Sequence, residues 1–256
     1  MTLLFETNDR PDELTVDAAA RVVDAVKVYG RGDTQVQALA GVSVEFERGR
    51  FTSIMGPSGS GKSTLLHCLG GLESLTQGQV IIGDTDLETM KDRQLTELRR
   101  DRIGFIFQSY NLIPTLTAAQ NITLTSRLGR RRVDRAWLET VVQAVRLEER
   151  LKHRPSELSG GQQQRVAVAR ALASRPDMII ADEPTGNLDA RTAGEILSLL
   201  RTSVAEFGQT IVMVTHDPRA ASCADRTLFL ADGRIVEDLE SPSADQILET
   251  LRVLGD

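Results

Sequence analysis

The run GPSGSGKS at Gly56–Ser63 constrains this chain more than any other feature. It matches the phosphate-binding loop pattern G-x-x-x-x-G-K-[ST]. The apolar stretch Phe51–Met55 leads into it and Lys62–Leu69 follows, which predicts a strand–loop–helix unit. Glycines let the backbone curl until successive N–H groups point inward, and the helix adds the positive end of its dipole. Gly56, Pro57, Ser58, Gly59, Ser60 and Gly61 then cradle phosphate. Lys62 reaches the β- and γ-phosphates, the Ser63 hydroxyl ligates Mg2+, and Thr64 faces the α-phosphate.

The rest of the chain narrows the class. At 256 residues it has room for one large or two small domains, and 41% hydrophobic with 26% charged residues excludes wholesale disorder. No apolar run approaches the roughly 18 residues of a membrane-spanning helix. The first twenty residues carry acids and lack the plan of a signal peptide. Cys68 and Cys223 are far apart in apolar stretches, which reads as two buried thiols in a reducing compartment, with no disulfide or metal framework. A formal net charge of −6 argues against broad nucleic-acid binding. A soluble, cytosolic α/β protein is expected.

Residues 1–20, acidic around Pro11, read as a flexible tail. Strands are predicted at Arg21–Val28, Val42–Phe46 and Phe51–Met55, and shorter ones at Ile103–Phe107, Met178–Ala181, Ile211–Val214 and Thr227–Leu230. Such short continuous apolar runs fit parallel strands covered on both faces. Helices are predicted at Gly161–Ser174 and Ala190–Glu206, the latter stopped by Gly208. Leu116–Leu151 has amphipathic segments such as Trp137–Val145 and no strand-like run, so it reads as a helical insertion. The division is a tail over 1–20, a main domain over 21–238 with a helical part at about 109–158, and a helical tail over 239–256.

Two further motifs bear on chemistry. Met178–Glu183 (MIIADE) is a strand ending in two acids. Beside a phosphate loop, Asp182 is positioned for the Mg2+ shell and Glu183 to polarise water for attack on the γ-phosphate. Leu158–Gln162 (LSGGQ) places an N-cap serine, Ser159, before two glycines. That helix start is either a second anion site or simply a capped helix.

LSGGQ together with GPSGSGKST and ADEPTGNLD resembles the nucleotide-binding subunits of ATP-binding-cassette (ABC) transporters, from about Arg21 to Glu237. The resemblance implies an α/β fold with a phosphate-loop core of parallel strands, an antiparallel β edge and a helical subdomain. It implies Mg2+-dependent ATP hydrolysis by a head-to-tail dimer, with each ATP between one phosphate loop and the opposite signature. Ser159, Gly160, Gly161 and Gln162 then contact nucleotide held by the other copy. Gln108 matches the glutamine that senses Mg2+ and the attacking water, and His216 the histidine that contacts the γ-phosphate. Asn187, Leu188 and Asp189 match the loop that crosses the dimer interface, and Tyr29 the aromatic residue that stacks on adenine. His67 and His153 match nothing and read as packing or surface residues.

SYNLIPTLTAAQNI at Ser109–Ile122, with the sequences flanking LSGGQ and ADEP, looks like the lipoprotein-release, macrolide-export and FtsE cell-division group (MacB/LolD/FtsE-like). That implies a separate membrane permease of the MacB/FtsX type, docked on the helical insertion at the cytoplasmic face of the membrane, and no nucleic-acid partner. Gln120 stands where that group has an acidic residue. The rival is a soluble ABC ATPase acting on nucleic acid or ribosomes. Such proteins carry tandem cassettes, zinc cysteines or coiled-coil insertions; the spacing of Lys62 and Ser159 leaves no room for a coiled coil, and Cys68 and Cys223 cannot build a zinc site. A basic cluster, Arg127, Arg130, Arg131, Arg132 and Arg135, reads as a solvated face or a contact for anionic lipid. Ile247, Leu248, Leu251 and Leu254 recur at helical spacing in a terminal helix.

Overall fold

Five of the short apolar runs lie side by side in one sheet. The computed structural model describes residues 17–129 and 132–255. In chain order, β1 (Ala18–Tyr29), β2 (Val36–Glu47) and β3 (Phe51–Met55) lead into α1 (Lys62–Leu69). Then come β4 (Gln77–Ile82), β5 (Thr85–Asp86), α2 (Asp92–Arg102) and β6 (Ile103–Phe107). The insertion carries α3 (Ala118–Ile122), α4 (Leu124–Leu128) and α5 (Arg135–Ala144). The remainder is α6 (Gly160–Ala173), β7 (Met178–Asp182), α7 (Ala190–Phe207), β8 (Ile211–Val214), α8 (Pro218–Ala221), β9 (Arg226–Ala231), β10 (Arg234–Glu240) and α9 (Ala244–Gly255).

The main sheet has the order β10-β9-β3-β8-β7-β6, parallel except for the antiparallel edge strand β10. A second, antiparallel sheet has the order β2-β1-β4-β5. The continuous apolar character of the parallel strands follows from burial on both faces. Met178 and Ile180 of β7, with Val212 and Val214 of β8, pack toward Leu65, Leu66 and Leu69 of α1 and the antiparallel sheet. Ile179, Ala181, Ile211 and Met213 pack toward α6 and α7. α7 is buried along Ile196, Leu197, Leu200 and Val204, capped at its start by Asp189 and stopped by the left-handed Gly208.

Four features differ from expectation. Residues 1–16 of the expected tail lie outside the described residues, but its last part is strand: Ala18 and Ala20 already pair with β2. Strands β4, β5 and β10 and helix α2 are additions to the elements expected from sequence. β10 breaks its apolar residues with three acids, and α2 buries only Leu98, so neither shows an apolar run. The boundary at 239 also moves, because Leu239 and Glu240 belong to β10 and the last helix begins at Ala244. Finally, Cys68 is buried but Cys223 is only half-buried. No helix among the described residues is long and apolar enough to cross a membrane.

Candidate functional site

In a parallel sheet every strand delivers its loop to the same edge, and ligands bind there. The carboxyl ends of β3, β6, β7 and β8, with the residues that follow them, carry Gly56–Ser63, Gln108, Asp182 with Glu183, and His216 respectively. Sheet order therefore gathers residues that are more than 100 positions apart in the chain.

The glycine loop is built by steric necessity. Gly56, Gly59 and Gly61 all have positive φ. A Cβ on Gly56 would stand 1.9 Å from the Leu230 carbonyl oxygen, and one on Gly61 2.2 Å from that of Ala38. Gly61 precedes α1 and offers no side-chain cap, and no acid occupies the first turn. The N–H groups at the start of α1 are thus left for an anion, beside the exposed hydroxyl of Ser63. The Lys62 ammonium folds back across the loop, donating to the carbonyls of Gly56 (2.9 Å) and Pro57 (2.7 Å) and, at 3.4 Å, to Ser60 Oγ. Burial pushes its pKa down, against the pull of the Glu183 carboxylate.

Opposite Lys62 stands the acidic end of β7. Glu183 adopts a left-handed backbone with φ of 46°, rare for a non-glycine residue, and its N–H is held by Val214 at 3.0 Å. Its Oε1 lies 2.8 Å from Nδ1 of the exposed His216. Gln108 donates from Nε2 to Asn187 Oδ1 at 3.1 Å, and Asn187 returns a bond to the Gln108 carbonyl at 3.0 Å. This reciprocal pair ties the loop after β6 to the loop after β7. Gly186 makes it possible, since a Cβ there would meet Gln108 Nε2 at 2.7 Å.

Tyr29 ends β1 with its ring partly exposed and a hydroxyl that donates to Glu73 and lies 3.5 Å from Thr64 Oγ1. Burial, and then the bond to Glu73, raise its pKa. His67, expected to be a packing or surface residue, lies closer to the chemistry than that. Its Nε2 lies 3.7 Å from Asp182 Oδ2 and its Nδ1 3.7 Å from Glu73, so it backs the acidic end of β7. Its pKa is raised, first by Asp182. The signal available in sequence is only its place on α1, five residues beyond Lys62.

The signature residues stand apart. Ser159 Oγ accepts from the Gln162 N–H at 3.3 Å and Gln162 Oε1 accepts from the Ser159 N–H at 3.0 Å, a reciprocal cap on α6. A Cβ on Gly161 would meet Thr192 at 2.4 Å, and one on Gly160 would meet the Tyr110 hydroxyl at 2.9 Å. Asp189 accepts from the Arg191 and Thr192 N–H groups at 3.1 Å and from the Thr192 hydroxyl at 2.6 Å, which lowers its pKa. Among the described residues no hydrogen bond or ion pair joins Ser159–Gln162 or Asp189 to Gly56–Ser63. Within one chain these two groups form separate sites.

No group of three His, Cys, Asp or Glu side chains among the described residues could cage a metal. Ser63, Asp182 and Gln108 offer a hydroxyl, one carboxylate and an amide oxygen. That is a sparse, hard-oxygen set of the kind that suits Mg2+ completed by phosphate and water.

Comparison with known proteins agrees with this geometry. The profile of the family described as ABC transporter matches residues 39–186. An ABC transporter ATP-binding protein of Thermotoga maritima is 49% identical over 218 residues, spanning 84% of this chain and 92% of that protein. The macrolide export ATP-binding/permease protein MacB of Marinobacter nauticus is 45% identical over 89% of this chain, which matches only 36% of that longer protein. Among solved structures, the dimeric post-hydrolysis state of the ATP-binding cassette MJ0796 bound to ADP and Pi superposes with a TM-score of 0.79. It is 40% identical and covers 88% of this chain and 99% of that one.

Proposed function

The chain belongs to the ABC transporter family as an ATP-hydrolysing cassette, and from that premise we propose how its residues carry the reaction and what it drives. The phosphates of ATP enter the loop Gly56–Thr64, and Lys62 exchanges the Gly56 and Pro57 carbonyls for the β- and γ-phosphates. Tyr29 stacks on adenine. Ser63, Asp182 and Gln108 would hold Mg2+, which would supply positive charge against the charge that builds up on the phosphates. Glu183 Oε accepts a proton from the attacking water, and His216, paired with it at 2.8 Å, orients both toward the γ-phosphate. The bond from the γ-phosphorus to the bridging oxygen breaks, leaving ADP and phosphate.

The observation that carries this reading is the convergence of Lys62, Glu183, His216 and Gln108 at one sheet edge beside an uncapped helix start. The separation of Ser159–Gln162 from that edge supports a head-to-tail homodimer, in which these residues and Asp189 meet nucleotide on the second copy. The dimer drives a separate permease of the MacB/FtsX type from the cytoplasmic face of the membrane, for export, lipid or lipoprotein extraction, or signalling. A cavity of about 230 Å3 between α3 and α5 supports docking of a permease helix there. Ile122, Leu138, Val142 and Leu151 form an apolar floor, with Glu139 and Glu148 at the margin. The test is Glu183→Gln. With Mg2+ and ATP it is expected to elute as a stable dimer and to hydrolyse at most about one hundredth as fast. A monomer that turns over at the wild-type rate refutes the role of Glu183.

A further inference from the structure

Away from the nucleotide site, a cavity of about 170 Å3 lies where the C-terminal end of α2, α4, the start of α5 and the end of α6 meet. Three guanidinium groups line it, those of Arg100, Arg132 and Arg175, together with the hydroxyl-bearing Thr125, Ser126 and Ser174. Arg100 crosses from α2 against the backbone of Gly129, where a Cβ would stand 2.9 Å from its Nε. Asp101 fixes it with two bonds of 2.7 Å. Arg175 is held 3.1 Å from Asp134 and lies over the Trp137 ring at 4.7 Å. Trp137 is itself anchored by its indole N–H to the Leu172 carbonyl at 3.0 Å. Asp134 also caps α5 by accepting the Trp137 N–H at 3.1 Å.

Both lining carboxylates are therefore engaged in orienting arginines. Arg132 has no carboxylate partner among the described residues, so the lining carries one positive charge in excess. The Thr125 hydroxyl beside it is buried and makes no hydrogen bond, whereas most buried polar groups have a partner. Planar guanidinium groups with hydroxyls between them match the oxygens of a phosphate group. We propose that this cavity binds a phosphate-bearing anion, either the headgroup of an acidic phospholipid or a free phosphate. The site gives a part of the basic cluster a specific ligand, and it stands independently of the nucleotide reading.

Trp137 is the only tryptophan in the chain, so its fluorescence reports the cavity directly. The full chain is titrated with inorganic phosphate, with short-chain phosphatidylglycerol below its micelle concentration, and with chloride at matched ionic strength. A saturable change is expected with phosphate or the lipid and none with chloride. A lipid response at concentrations at least about tenfold lower assigns the headgroup, and a response to phosphate at equal or lower concentration assigns the free anion. Arg132→Gln is expected to weaken binding about tenfold, the worth of one charge-assisted hydrogen bond, whereas Lys62→Ala leaves it intact. Three outcomes overturn the proposal: no saturable change, the same change with chloride, or a response lost in Lys62→Ala but kept in Arg132→Gln, which is phosphate in the nucleotide loop.

Discussion

Single positions in the glycine loop differ sharply in what they tolerate. Gly59 has φ of 81° but open space where a methyl group would stand, whereas Gly61 at φ of 100° faces the Ala38 carbonyl at 2.2 Å. Gly59→Ala should cost only the left-handed penalty, about 1–2 kcal/mol. Gly61→Ala must also displace β2, so thermal melting is expected to show a clearly larger loss for it; equal losses would contradict the close approach. The two thiols differ in the same way. Burial pushes the Cys68 thiol up to about 12, and Cys223, also raised by burial, stands half-exposed. At pH 8 a thiol reagent should modify Cys223 in the folded protein and Cys68 only after unfolding. The protonated Cys68 thiol favours the folded state fully below 9.0, and that contribution fades as pH climbs toward 12, because the unfolded chain releases its proton first. Sequence disclosed the identity of the loop residues because the pattern is local. It could not disclose that Gln108 is bonded to Asn187 or that His67 backs Asp182, since those partners meet only once β6, β7 and α1 are packed.

At the level of elements, α7 shows how one residue can serve a helix and a candidate site at once. Asp189 takes up the orphan N–H groups of Arg191 and Thr192 and also the Thr192 hydroxyl. Asp189→Ala should therefore lower the melting temperature at neutral pH. Because those bonds hold the carboxyl below its ordinary 3.8, the stability it contributes is present above that value and lost as pH falls through the lower folded one. The gap between wild type and Asp189→Ala should accordingly close in acid, and a gap that persists unchanged at pH 2 would show that the cap is not its cause. The buried parallel strands were legible because each is a short apolar run between polar loops. β4, interior to its sheet, and β10, at an edge, were not, since each leaves one face to water and breaks its apolar run with Gln, Glu or Asp. α2 failed for a related reason: it buries a single leucine and seven of its eleven residues are charged, so no long periodic stripe exists to be read.

For the whole molecule, the decisive point is that the Lys62 loop and the Ser159 helix start of one chain do not meet, so that in the proposed head-to-tail dimer each would be half of a site. Lys62 stands at the carboxyl edge of the main sheet, while Ser159 caps a helix with no bond to that loop. A dyad that brings the two half-sites of different copies together makes two composite sites, each borrowing one half from either chain. This geometry has a consequence that a chain acting alone cannot reproduce. Lys62→Ala and Ser159→Phe should each be nearly inactive, since every site in either homodimer lacks one half. Mixed in equal amounts with random pairing, half of the dimers carry both variants. In each of those, one site contains both defects and the other contains neither. ATP hydrolysis should therefore reappear on mixing, at up to about a quarter of the wild-type rate if each site works alone. A mixture as inactive as its components means either that the half-sites are not shared or that both sites must fire together. Mixing each variant with wild type separates these two. Sites that must fire together lose activity in every mixed dimer, whereas an unshared site leaves the wild-type chains unaffected.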